Sequence, residues 1–156
     1  MGKKFTRVAP TILSGQDEFE VKFINYLMKN GKKTVALRIY RNMLKLIRAN
    51  GHMNPGLVLR SAVENASPVI MIKSARIGGS VYQVPLEVKP KKKLFFACKW
   101  IIGAARAKTG KSFDKLLSEE VLAAYANQGS AVKKKEEVQK MAEANRAFAY
   151  MAKYVK

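Results

Sequence analysis

The sequence predicts a mainly α-helical single domain of about six helices, with one protruding β-hairpin inserted between the third and fourth. Three observations carry this. Apolar residues recur at helical spacing through most of the 156 residues. Glycines and prolines punctuate those stretches where helices start and stop. One segment, residues 69–88, changes to β-branched and apolar residues around a Gly-Gly pair.

Residues 1–16 read as an extended arm, because Pro10, Ser14 and Gly15 break any period. The rest, 17–156, reads as a single helical domain carrying the β-hairpin 69–88. A first helix is predicted from about Asp17 to Asn30, with acids in its first turn, apolar Phe19, Phe23, Ile24, Leu27 and Met28, and Gly31 as its stop. A second runs from about Lys33 to Asn50, closed by Gly51, with Val35, Ile39, Met43, Leu46 and Ile47 as its apolar stripe. The third begins at Asn54-Pro55, an N-cap followed by a proline suited to the first helical position, and ends before Pro68. Val69–Arg76 and Val81–Val88 form the hairpin, with Gly78 and Gly79 in the turn. Pro85 cannot donate to a ladder, which suits a two-stranded ribbon. The half of the hairpin far from the turn is apolar and the tip is polar and cationic, so the base is expected to pack on the helices and the tip to leave the body.

After Lys89-Pro90-Lys91-Lys92-Lys93, a fourth helix carries Phe95, Phe96, Trp100, Ile101 and Ile102, and puts Lys92, Lys99 and Arg106 on one face. A fifth is predicted from Ser112, as cap, to Gln128. A sixth starts at about Ala131 with Ser130 as cap and continues towards the end, with Val138, Met141, Ala142, Asn145, Phe148 and Ala152 inward. Tyr26, Tyr40, Phe95, Phe96 and Trp100 fall at core spacing. Tyr82 is open between packing and base stacking.

Charge narrows the function. The net charge is +19, and residues 21–113 hold nineteen basic residues against only Glu64 and Glu87. Self-repulsion of this size opposes folding, and its usual purpose is a polyanionic partner, with nucleic acid the first candidate. Arg38, Arg41, Lys45 and Arg48 recur at spacings of three and four, so they form one cationic edge of the second helix. A single cysteine, Cys98, excludes an internal disulfide and a cysteine-based metal cluster. The apolar runs are too short to span a bilayer, and no signal-peptide core is expected at the start. Thr109-Gly110-Lys111-Ser112 ends like a phosphate-binding loop, but Ala105 stands where that motif needs its first glycine. His52, the only histidine, reads as a solvated loop residue. No acid–base pair stands out, so neither catalysis nor a cofactor is expected. Asn65-Ala66-Ser67 matches a glycosylation triplet, discounted by the Pro68 that follows.

"LMKNGKK" (27–33), "AVENASP" (62–68), "RIGGSVYQVPLEV" (76–88), "KWIIGAAR" (99–106) and "GSAVKKKEEVQKMAEANRAFA" (129–149) occur in that order. Together they closely resemble the family of the seventh protein of the small ribosomal subunit, in its bacterial or organellar form. The resemblance covers about 17–150. It implies a helical domain with a β-ribbon, and a structural constituent of the small subunit in a bacterial cytoplasm, mitochondrial matrix or plastid stroma. It further implies binding to the 3′ major domain of small-subunit ribosomal RNA, nucleation of head assembly, and a place near the exit site for transfer RNA and messenger RNA. The neighbours it implies are the ninth, eleventh and thirteenth small-subunit proteins. Two departures stand out: lysines often replace the family's arginines, and Gly103 replaces a helix former.

The candidate RNA-binding residues are Lys32, Lys33, Arg38, Arg41, Lys45, Arg48, Lys73, Arg76, Gly78, Gly79, Tyr82, Lys89, Lys91, Lys92 and Lys93. Lys133, Lys134 and Lys135 join them more weakly, because Glu136 and Glu137 follow directly. The rival from another class is an architectural protein of duplex DNA, with the hairpin entering a groove.

Overall fold

The computed structural model describes residues 17–155. The predicted arm at 1–16 lies outside the described residues. Helices α1 (Glu18–Leu27), α2 (Lys33–Ala49) and α3 (Pro55–Ala66) are followed by strands β1 (Ile70–Ile77) and β2 (Ser80–Glu87), then by α4 (Pro90–Ala107), α5 (Phe113–Tyr125) and α6 (Ser130–Ala144). A 3-10 helix, Arg146–Tyr154, closes the order. The hairpin therefore stands between the third and fourth helices, as expected.

The ends of the helices follow local chemistry. Asp17 caps α1, its carboxylate accepting from the Phe19 amide at 3.4 Å, and Glu18 and Glu20 complement the first turn. The helix stops at Leu27, short of Gly31, because Met28 is already extended. Pro55 occupies the first turn of α3, but the Asn54 side chain makes no capping bond. Ser112 precedes α5 without a side-chain bond to its first amides.

α5 is the hub. It packs against α2, α3, α4 and α6, and Leu117, Val121 and Ala124 are fully buried. Phe23 and Ile24 of α1, Met43 and Ile47 of α2, Leu59 and Ala62 of α3, and Ile101 and Ile102 of α4 complete one continuous apolar core. In α2 the buried residues are Ala36, Tyr40, Met43 and Ile47, one narrow stripe, so Val35 lies outside it and is exposed. Of the aromatics predicted as core, Tyr40 is buried, whereas Tyr26, Phe96 and Trp100 are half-buried at its margin. Phe95 is exposed, set edge-on to Tyr26 and Phe96. The Tyr40 hydroxyl is buried, with Glu20 of α1 near it. That burial, with the negative charge of Glu20, pushes its pKa well up. Burial also pushes the Cys98 thiol up to about 12, so at neutral pH it is an inert apolar side chain.

The sixth helix differs from the expectation. Gly129, not Ser130, is the residue before it, and it ends at Ala144. Asn145 is its C-cap, and Met141 is exposed rather than inward. The chain then tightens into 3-10 geometry. There, residues three apart fall in line, which stacks the half-buried Phe148 and Met151 on one side. This segment packs along β2, and Phe148 meets Tyr82 with ring centroids 5.5 Å apart.

β1 and β2 pair antiparallel from Ile70↔Glu87 to Ile77↔Ser80, leaving Gly78 and Gly79 as a two-residue turn. Both have positive φ (58° and 88°), as a type I′ turn requires. Pro85 faces Ile72 in the ribbon. Val84 and Val88 are buried at the base, but Val69 and Ile70 are exposed, so β2 rather than β1 carries most of the anchoring. Beyond Tyr82 the tip residues Arg76 and Gly78–Val81 are exposed, apart from the half-buried Ile77.

Two glycines are predicted to behave oppositely. Gly103 lies mid-α4, with nothing within 4 Å of where a Cβ would stand. Gly103→Ala should raise stability by about 0.5 to 1 kcal/mol. Gly129 has φ +89°, and a Cβ there would come within 3.0 Å of both Ala123 Cβ and Glu120 Oε1. Gly129→Ala should lose about 1 to 3 kcal/mol. Chemical denaturation of both variants checks the pair, and equal shifts of one sign would refute this account.

Candidate nucleic-acid interface

The α2 row is built by the stripe it opposes. Burying Ala36, Tyr40, Met43 and Ile47 turns positions 38, 41, 45 and 48 outward, and Arg38, Arg41, Lys45 and Arg48 are all exposed. None forms an ion pair among the described residues. Arg38, Arg41 and Lys45 line one groove of about 350 Å³ with Thr34, Leu37 and Asn42. Asn42 reaches an acid, Asp114 at α5's first turn, at 3.3 Å. Bonds from the Ser112 hydroxyl and from Asn42 hold the Asp114 carboxyl below the usual range.

A second cluster forms where α1 ends and α2 begins. Lys32 lines a groove of about 380 Å³ with Lys29, Val35, Ile39, Arg106 and Phe113. Arg106 is partly committed there: its Nη2 donates to the Leu27 carbonyl at 3.1 Å, capping α1, and its guanidinium lies 6.0 Å from the Phe113 ring. Lys29, which the sequence pattern did not single out, belongs with Lys32. Its signal was its place in the same helix-ending loop. Lys33 is exposed at the start of α2.

The third cluster sits at the root of the hairpin. Lys73, Lys89 and Lys92 line a groove of about 460 Å³ with Met71, Ile72, Leu86, Val88, Phe96 and Val155. Lys89 precedes α4, and Lys91, Lys92 and Lys93 occupy its first turn with no acid among them. Cations at a helix N-terminus oppose the dipole, so this arrangement is strained electrostatically unless an anion sits there.

Two of the three weaker candidates have other tasks. Lys134 pairs with Glu137 at 3.1 Å. Lys135 is half-buried and donates to the Asn65 carbonyl at 2.7 Å. Only Lys133 of the three is exposed without a partner of this kind. Tyr82 is half-buried against Phe148, so its ring is not a free platform. His52 is half-buried, edge-on to Tyr125 at 5.5 Å between centroids, rather than fully solvated. Asn65, read from sequence only as a triplet match, is a structural junction: its Nδ2 donates to the Ala124 and Tyr125 carbonyls that end α5.

Among the described residues there is no group of three or more His, Cys, Asp or Glu placed to hold a metal. Ala105 lies inside α4, and Lys111 is paired with Glu119 at 2.5 Å, which removes the phosphate-loop reading. No described helix is long and apolar enough to cross a membrane.

A helical body with a β-ribbon between α3 and α4 is what the resemblance implied, and the cationic surface is what the charge distribution implied. The sequence pattern of the family described as "Ribosomal protein S7p/S5e" matches residues 4–146. The chain belongs to this family. Its members are structural, non-enzymatic proteins of the ribosome. The chain is 46% identical over 134 residues to the small ribosomal subunit protein uS7 of Thermotoga maritima, covering 86% of each. It is 44% identical over 134 residues to the small ribosomal subunit protein uS7m of Reclinomonas americana, covering 86% of this chain and 84% of that one. It is 38% identical over 154 residues to uS7 of Leptospira biflexa, covering 96% and 98%.

The α2 row should behave as a repulsive array in the free protein. Arg41 stands between Arg38 and Lys45, so Arg41→Gln should raise stability by about 0.2 to 0.5 kcal/mol for each repulsive pair relieved at low salt. The gain should vanish near 1 M salt, where the Debye length is about 3 Å. Thermal melts across a salt series read this, and a drop in stability at low salt would mean that Arg41 has a structural partner.

Proposed function

We propose that the chain is a ribosomal-RNA-binding constituent of the small subunit, engaging the 3′ major domain of its RNA and helping to nucleate the subunit head. The single observation that carries this reading is the exposed row Arg38, Arg41, Lys45 and Arg48, without acidic partners among the described residues, in a member of this family. Lys32 and Lys33 at the start of the same helix and Lys89, Lys91, Lys92 and Lys93 at the start of α4 extend it. Phosphate contacts from these residues position the protein, and the folded shape of the RNA supplies selectivity. Lysines in place of arginines keep the charge but lose the planar fork, so affinity leans on bulk electrostatics. The hairpin tip, with Arg76, Gly78 and Gly79, reaches towards exit-site transfer RNA and messenger RNA. The ninth, eleventh and thirteenth small-subunit proteins are its neighbours.

Converting Arg38, Arg41, Lys45 and Arg48 to glutamine should weaken binding to a 3′-domain RNA fragment. It should also flatten the salt dependence by roughly 0.7 to 0.9 log units per log unit of salt for each phosphate no longer neutralised. Unchanged affinity and slope would make the row a solvated face. A wild-type preference for duplex DNA over this RNA would favour the architectural alternative.

Replacing residues 74–82 with a short turn should leave the helical body folded, because Val84 and Val88 remain in place. The shortened protein should still enter small subunits while altering transfer-RNA retention at the exit site or reading-frame maintenance. Wild-type retention and frame fidelity in assembled ribosomes would remove the tip from the reading.

A further inference from the structure

The hairpin joins the body through very little chain. α3 ends at Ala66, and only Ser67, Pro68 and Val69 precede β1. Ser67 Oγ donates back to the Val63 carbonyl at 2.9 Å, and Pro68 is buried. Just before this exit stands Asn65, half-buried at the meeting of three helices. Its side chain holds the last carbonyls of α5 at 3.0 and 3.1 Å, and its own carbonyl accepts from Lys135 of α6 at 2.7 Å. α6 in turn packs along β1. The 3-10 helix lies along β2, and the β1 side of the ribbon is set by the end of α3 and by α6. Lys135 ties those two together through the Asn65 backbone carbonyl, and the Asn65 side chain holds the same end of α3 on α5.

We infer that Asn65 and Lys135 are positioning residues for the hairpin: they fix its angle to the helical body, so that the tip is aimed before any RNA is met. This rests on the proposed role of the tip. It assigns to Lys135 a task other than phosphate binding. The linkage is partly shielded from solvent, and it joins segments 70 residues apart in sequence. Removing the Lys135 ammonium frees α6 to shift relative to the end of α3, and removing the Asn65 amide frees that end relative to α5; in either case the ribbon that leaves α3 and packs on α6 shifts with it.

The test uses the full chain without RNA. Cys98 is buried and unreactive, so spin labels can be attached through Ser80→Cys at the exposed tip and Ala49→Cys at the exposed end of α2. The unaltered background should give one narrow distance. Lys135→Met, which keeps the aliphatic stem, and Asn65→Ala should each broaden that distribution by about twofold or displace it. Lys135→Arg, which restores a donor, should return it towards the starting width. A lowered melting temperature with an unchanged distance distribution in Lys135→Met would overturn the inference, leaving the contact a matter of stability alone. Should Asn65→Ala fail to fold, the Lys135 pair decides by itself. The distance measurement does not involve RNA, so it can fail while the RNA and exit-site experiments succeed, and the reverse.

Discussion

Glu120 sits on the central helix with no access to solvent, in a protein whose surface is overwhelmingly cationic. A buried carboxyl group is costly unless both oxygens are met. Here Oε2 meets Lys108 Nζ at 2.6 Å and Oε1 accepts from the Ala131 amide at 3.1 Å. The first contact ties the loop after α4 to α5. The second caps α6 in place of a local side chain. It also bears on Gly129: φ there is +89°, and a Cβ would press at 3.0 Å on this carboxyl group and on Ala123 Cβ. The start of α6, on which the ribbon packs, is thus held by a polar contact made in the core.

Around that centre, charge and burial are kept apart. Among the described residues, only Ser118 and Glu120 are polar side chains buried as deeply as the core. The cations stand outside. Some are spent on the fold: Arg106 caps α1, Lys135 holds the end of α3, and Arg60 pairs with Asp17 while lying over Phe19. Those spent in this way bond to backbone carbonyls or to the few acids. The α2 row has no such task. That division separates structural from surface lysines and arginines better than composition can.

Much of the fold was legible because its signals are local. Asp17 with Glu18 and Glu20, Pro55 after Asn54, Gly51 after α2 and the Gly78-Gly79 turn each specify backbone geometry within a few residues. The α2 row was legible for the same reason, since helical periodicity alone places it opposite the apolar stripe. What escaped was long-range. Ser130 looks like a cap, but the acceptor for α6 comes from Glu120 on another helix. Lys133 to Lys135 look alike in sequence, and only the fold places Asn65 beside the third. The 3-10 ending of the chain answers to the hairpin it packs on, which no local pattern of Arg146–Tyr154 announces.

Among the described residues the ribbon has two strands, and each has an outer edge with no third strand of the described chain beside it. Such edges invite pairing between molecules. This one is fitted with deterrents. Pro85 removes an amide from β2, Lys73 and Arg76 put like charges on β1, and the 3-10 helix lies along β2. Two copies meeting edge to edge would bring these cations together in a protein already carrying +19. In such a meeting, like charge and a missing amide would oppose the stacking of one copy on another, so the charge of the ribbon bears on self-association as well as on its surroundings.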